Sequence, residues 1–143
     1  MPTVTRSERV PHTAAQMFDL VNDIEAYPEF LHWCRGARVE ARTETAVEAT
    51  LEVGIGGVSK RFTTRNTLDP PHRITIGLVS GPFRRLDGTW TFEDSPDGGS
   101  QVSLSLEFEI SQSPLSMVFS AVFEEVARSQ VSAFVHRAEH QYA

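Results

Sequence analysis

The chain has 143 residues, 40% of them hydrophobic and 22% charged, with a formal net charge of −6. This length suits one domain, spanning 1–143, with a real core, and the acidic balance argues against a DNA partner, which needs phosphates neutralised by Lys and Arg. No stretch approaches the roughly 18 apolar residues of a spanning helix, and Met1-Pro2-Thr3-Val4-Thr5-Arg6 lacks the apolar centre of a signal peptide, so a cytoplasmic protein is expected, at most peripheral at the inner face of a membrane.

The chain opens with a candidate strand, Thr3 to Val10, ended by Pro11. Thr13 and Gln16 then have capping-box spacing, in which each side chain satisfies a free backbone N–H at a helix start. Ala14, Met17, Phe18 and Val21 follow at i, i+3, i+4 and i+7, one apolar stripe of a short helix. A second short turn runs from Asp23 to Tyr27-Pro28, where proline disfavours helical geometry in its predecessor. The one cysteine, Cys34, excludes an internal disulfide and reads as a buried or strand-end thiol.

The middle alternates with period two. Ala37, Val39 and Ala41 form one apolar row, and Val47, Ala49, Leu51 and Val53 the next. Gly54, Gly56 and Gly57 interrupt it. A more polar strand spans Phe62 to Leu68. Ile74, Ile76 and Leu78 precede a Gly81-Pro82 turn, and Leu86, Gly88, Trp90 and Phe92 share a face. After the Ser95-Pro96-Asp97-Gly98-Gly99 hairpin come Val102, Leu104, Leu106, Phe108 and Ile110. Such one-sided strands belong to an antiparallel sheet with one buried face.

Ser113-Pro114 combines a hydroxyl cap with proline at the first helical position. An unbroken helix follows from Leu115 to about Gln141, with Leu115, Val118, Phe119, Val122, Val126, Ala133 and Phe134 as its apolar stripe. The order is strand, short helices, six strands, long helix. An α+β fold results, a curved antiparallel sheet around one long helix.

Local motifs narrow this. Tyr27-Pro28-Glu29-Phe30-Leu31-His32-Trp33-Cys34 resembles the "YPxFLPWC" signature of the ubiquinone-binding START-like family that includes the bacterial RatA-type proteins; His32 stands where that family usually has proline. Phe62-Thr63-Thr64-Arg65-Asn66, the run from Gly81 to Phe92, and Phe123-Glu124-Glu125-Val126 resemble later motifs of the same family. The resemblance implies a helix-grip (START-like, Bet v-like) fold with a tunnel between sheet and helix. It further implies non-enzymatic binding of ubiquinone or a similar isoprenoid lipid in support of respiration, with no cofactor required. A second implication is a toxin that binds the large ribosomal subunit and blocks subunit association. A cyclase-like enzyme is the third.

Inward candidates from the strands are Phe62, Ile76, Leu78, Trp90, Phe92, Leu104, Leu106 and Phe108, facing Val118, Val122 and Val126 of the helix. They line a pocket or fill a core, since alternation is the same for both. Thr64 and Asn66 share the Phe62 face, to hydrogen-bond a quinone carbonyl or each other. Leu31, Trp33, Phe83, Arg84, Arg85 and Phe119 are expected at a mouth or membrane contact, with Phe83 an apolar turn tip beside two cations.

No catalytic residue is assigned. His136-Arg137-Ala138-Glu139-His140 matches H-x-x-E-H but lacks a later acidic ligand, so no metal site is expected. A ribosomal contact draws on Arg35, Arg38, Lys60, Arg61, Arg65, Arg84 and Arg85; scattered solubilising charges are the plainer reading.

Overall fold

The computed structural model describes residues 3–55, 57–110 and 114–142, without the side chains of 55, 58 and 114–118. Strand β1 (Thr3–Val10) is followed by helix α1 (Ala14–Asn22) and a 3-10 helix (Ile24–Glu29). Then come β2 (Cys34–Arg42), β3 (Ala46–Ile55), β4 (Val58–Asp69), β5 (Arg73–Ser80), β6 (Phe83–Asp94) and β7 (Ser100–Ile110), and finally the 28-residue α2 (Pro114–Gln141). The strands form one seven-stranded antiparallel sheet in the order β1-β7-β6-β5-β4-β3-β2. From β2 to β7 each strand pairs with its successor in sequence. β1 and β2 instead lie at opposite edges, so α1 and the 3-10 helix must cross the whole sheet to connect them. Together with α2 over the sheet, this is the expected α+β helix-grip arrangement.

The capping box forms as the spacing predicts. Gln16 N donates to Thr13 Oγ1 at 3.1 Å, and Thr13 N donates to Gln16 Oε1 at 2.9 Å. Asp94 Oδ1 accepts from Ala14 N at 2.9 Å, tying the helix start to the end of β6. Met17, Phe18, Leu20 and Val21 are buried, so α1 presses on the sheet. At about 1.5 Å per residue, α2 runs roughly 40 Å across the concave face.

Two expectations change. The buried stripe of α2 keeps the predicted Phe119, Val126 and Phe134 and adds Phe123, Ala127 and Val131, all at most 4% exposed. Val122 and Ala133 are its half-buried flanks. The predicted cap Ser113 lies outside the described residues, as do the side chains of Leu115, Met117 and Val118. The second change concerns Phe83, expected as an exposed tip but 6% exposed. A register shift between Phe83 and Arg85 adds a residue to β6. It lets Phe83 and Leu86, of opposite parity, both point inward.

Two buried acids also sit in this core. Burial pushes the Cys34 thiol, ordinarily 9.0, up to about 11. Tyr27, whose hydroxyl donates to the Val21 carbonyl, is also raised by burial. Both hold their protons more tightly folded than unfolded, so their stabilisation is complete below the unfolded values and is lost as pH rises. Denaturant midpoints should fall between pH 9 and 11, with about 2–3 kcal/mol from Cys34. Cys34→Ala should delay the onset to about pH 10, where Tyr27 takes over; an unchanged onset would contradict this account. Gly88 supplies a steric test. A Cβ there would lie 2.7 Å from Leu106 Cδ1 and 3.3 Å from Ile76 Cδ1. Gly88→Val should cost about 1–3 kcal/mol in chemical denaturation through overpacking.

Candidate functional site: an apolar cavity beneath the long helix

The inner wall follows from strand alternation. Phe62, Thr64 and Asn66 on β4 point inward and are 6%, 7% and 9% exposed. Their partners on β3 are Leu51, Ala49 and Val47. On β5, Leu78 opposes Thr64 and Ile76 opposes Asn66; on β6, Gly88 opposes Ile76 and Trp90 opposes Ile74. Small Ala49 lies in the middle of this wall, while the Leu106 and Ile76 side chains fill the space over Gly88. A cavity of about 60 Å³ lies against the wall. α2 covers it with Phe123, Val126 and Gln130, and Val21, Ile24, Tyr27 and Trp33 close the end nearest α1.

The lining is apolar apart from Thr64, Asn66, Gln130, the Tyr27 hydroxyl and the indole N–H groups of Trp33 and Trp90. Thr64 Oγ1 donates to Asn66 Oδ1 at 3.1 Å. This satisfies one donor of the pair and leaves the two N–H donors of the Asn66 amide unpartnered among the described residues. These N–H groups are free to donate to a guest, so this spot favours a neutral guest that offers an acceptor. No carboxylate, cation or imidazole is among the described lining residues. Tyr27 is committed to the Val21 carbonyl and raised in pKa, which suits neither proton transfer nor charge stabilisation.

Of the residues expected to line a pocket, Phe62, Thr64, Asn66, Ile76, Trp90, Leu106 and Val126 are on the cavity wall. Phe92, Leu104 and Phe108 are buried but belong to solid core. Phe92 meets Phe18 of α1 at 5.7 Å and Phe108 meets Phe123 at 4.9 Å, so neighbouring side chains occupy the space a guest would need. Leu78 and Val122 are half-buried and off the wall. The Val118 side chain lies outside the described residues.

The apolar residues expected at a mouth are packed inside. Leu31, Trp33, Phe83 and Phe119 are at most 6% exposed, and Trp33 lines the cavity from within. Arg84 and Arg85 are exposed but pair with Glu109 at 3.9 Å and with Asp87 at 2.7 Å and Glu107 at 3.2 Å. No apolar tip stands beside unpaired cations there. Sequence reasoning missed Gln130 and Phe123; their spacing with Val126, at i, i+3 and i+7, is the helical signal that would have found them. The rings of His136 and His140 are 4.6 Å apart on the surface. Among the described residues, no group of three or more potential metal ligands assembles.

A family model for polyketide cyclase/dehydrase and lipid transport proteins matches residues 10–135. The ribosome association toxin RatA of Vibrio cholerae is 42% identical over 142 residues, covering 99% of each chain. The mitochondrial coenzyme Q-binding protein COQ10 homolog B of Xenopus laevis is 28% identical over 131 residues, 89% of this chain and 54% of that one. Two solved structures share the fold. The Zhui aromatase/cyclase from Streptomyces sp. R1128 superposes with a TM-score of 0.86 at 16% identity, covering 99% of this chain and 96% of that one. A START superfamily protein from Mycobacterium smegmatis does so with a TM-score of 0.80 at 20% identity, covering 96% and 97%. The chain belongs to the polyketide cyclase/dehydrase and lipid transport family and is a relative of the RatA proteins.

Proposed function

We propose that this protein binds a neutral hydrophobic molecule of the ubiquinone class in the cavity beneath α2, and carries or shields it without chemical turnover. The observation behind this reading is the cavity itself, an apolar hollow with the Thr64–Asn66 pair set into its wall. A quinone ring is apolar, uncharged and carries carbonyl acceptors for the Asn66 amide. The coenzyme Q-binding relative from Xenopus laevis supports the same ligand class. Turnover of the cyclase kind needs an acid or base at the reacting atoms, and the described lining offers only the committed Tyr27 hydroxyl. On this reading the quinone is cargo and no cofactor is needed.

The hollow is small for its guest. An apolar cavity of about 150 Å³ admits benzene, and this one measures about 60 Å³. Binding therefore requires side chains to move aside.

Association with the large ribosomal subunit is the second reading, favoured by the 42% identity to a relative named for it. Several of the cations it would use are already paired: Arg38 with Glu40 at 2.6 Å and Arg61 with Glu52 at 3.4 Å.

Trp33 and Trp90, the two tryptophans of the chain, both line the cavity and give the assay. Titration with a short-tailed ubiquinone should quench their fluorescence saturably at one per chain. Asn66→Leu should weaken binding about 10- to 100-fold, the range for a lost buried hydrogen bond. Linear quenching, equal in the variant, would contradict the quinone reading. Cosedimentation with large subunits at moderate salt, unaffected by Asn66→Leu, would favour the ribosomal one.

A further inference from the structure

We propose that the apolar tail of the bound molecule leaves the cavity between the separated ends of β5 and β6, past the ring of Phe83. This rests on the ligand-binding reading above and adds the route and the chemical class of what passes along it.

The sheet comes apart at this place. Pairing between β5 and β6 stops at Gly77 and Asp87. Beyond that point β5 stays with β4, where Ser80 opposes Thr63, while β6 stays with β7, where Phe83 opposes Ile110. Side chains close the seam in place of backbone hydrogen bonds. Phe62 of β4 and Phe83 of β6 belong to strands two apart, about 10 Å in a regular sheet, yet their rings meet edge-on at 5.3 Å. Phe123 of α2 meets Phe83 at 4.9 Å and Phe62 at 5.9 Å. The turn lies directly on this cluster: a Cβ on Gly81 would fall 2.5 Å from Phe62 Cβ, and its φ of +147° favours glycine.

Phe62, Phe123 and Leu86 are also cavity wall, so Phe83 stands between the hollow and the seam. On the outer lip is Val79, 50% exposed, the large hydrophobic residue left to solvent among those described. Apolar side chains thus lead from the cavity wall through Phe62 and Phe123 to Phe83 at the seam, with Val79 on the strand beyond it. Turning a ring at this seam breaks no backbone pairing. The end beneath Trp90 is held differently. There the Tyr27 hydroxyl bonds the Val21 carbonyl, and the Tyr27 ring abuts Phe134 at 5.2 Å. A passage at that end would have to break a hydrogen bond. The seam instead suits an uncharged hydrocarbon tail, isoprenoid or acyl, whose polar head stays inside at Asn66.

The test uses a decyl-tailed ubiquinone analogue carrying a photoreactive diazirine at the end of its tail. After irradiation with the intact protein, peptide mass spectrometry should place the crosslinks on residues 78–86. Crosslinks on residues 24–33 or along the C-terminal half of α2, with saturable tryptophan quenching intact, would overturn the exit and leave the binding reading standing. Absence of both quenching and crosslinks would mean that the binding reading itself has failed, and the exit with it. Phe83→Leu, which keeps the core filled, should speed association of the same analogue severalfold; an unchanged rate overturns the role of Phe83.

Discussion

A straight helix and a curved sheet must bury each other's apolar faces, and they cannot match everywhere. Aromatic rings resolve the mismatch at two places. Phe62, Phe83, Phe108, Phe119 and Phe123 prop α2 near the start of its described side chains, with centroid separations of 4.9 to 5.9 Å. Tyr27, Phe30, Trp90 and Phe134 do so further along, at 5.2 to 6.2 Å. Between these props the sheet offers Ala49, which is too small to reach the helix. The hollow is the space that close packing leaves there.

Into that space the chain places Thr64 and Asn66, whose polar side chains would be out of place in a solid core. The Asn66 amide N–H groups bond no described residue, so a guest with an acceptor gives them a partner on arrival. The absence of ionised groups from the described wall favours neutral guests in the same way, since a charge brought into such surroundings is strongly disfavoured. Cavity size acts in the opposite direction, and so makes the movable aromatic props part of the binding equilibrium. The two props differ in kind. The one containing Tyr27 is pinned by a hydrogen bond, while the one containing Phe83 is held by ring contacts at a seam in the sheet.

The strands were legible because alternation has a period of two and a register error would turn every side chain to the wrong face. The capping box and the long helix were legible for similar local reasons. The YPxFL-like run and the later motifs identified the family correctly. Phe83 was misplaced because one extra residue in β6 reverses parity, and nothing in the run Pro82-Phe83-Arg84-Arg85 marks a bulge. In α2, Phe119, Val126 and Phe134 are legible as inward, but Val122 and Phe123 are both apolar and only the packing partner decides which of them faces in. Lining and filling also looked alike: Phe108 and Leu106 alternate identically, yet one is packed behind Phe123 and the other meets the hollow. That distinction depends on a few tens of Å³ summed over several elements, which no local pattern records.

The most direct test of the central claim is to purify the protein from its native host without detergent and identify what travels with it by native mass spectrometry. The account predicts about one neutral quinone-class lipid per chain, released on unfolding. Protein that arrives empty from a quinone-replete membrane fraction, and accepts none when quinone is supplied, would contradict it.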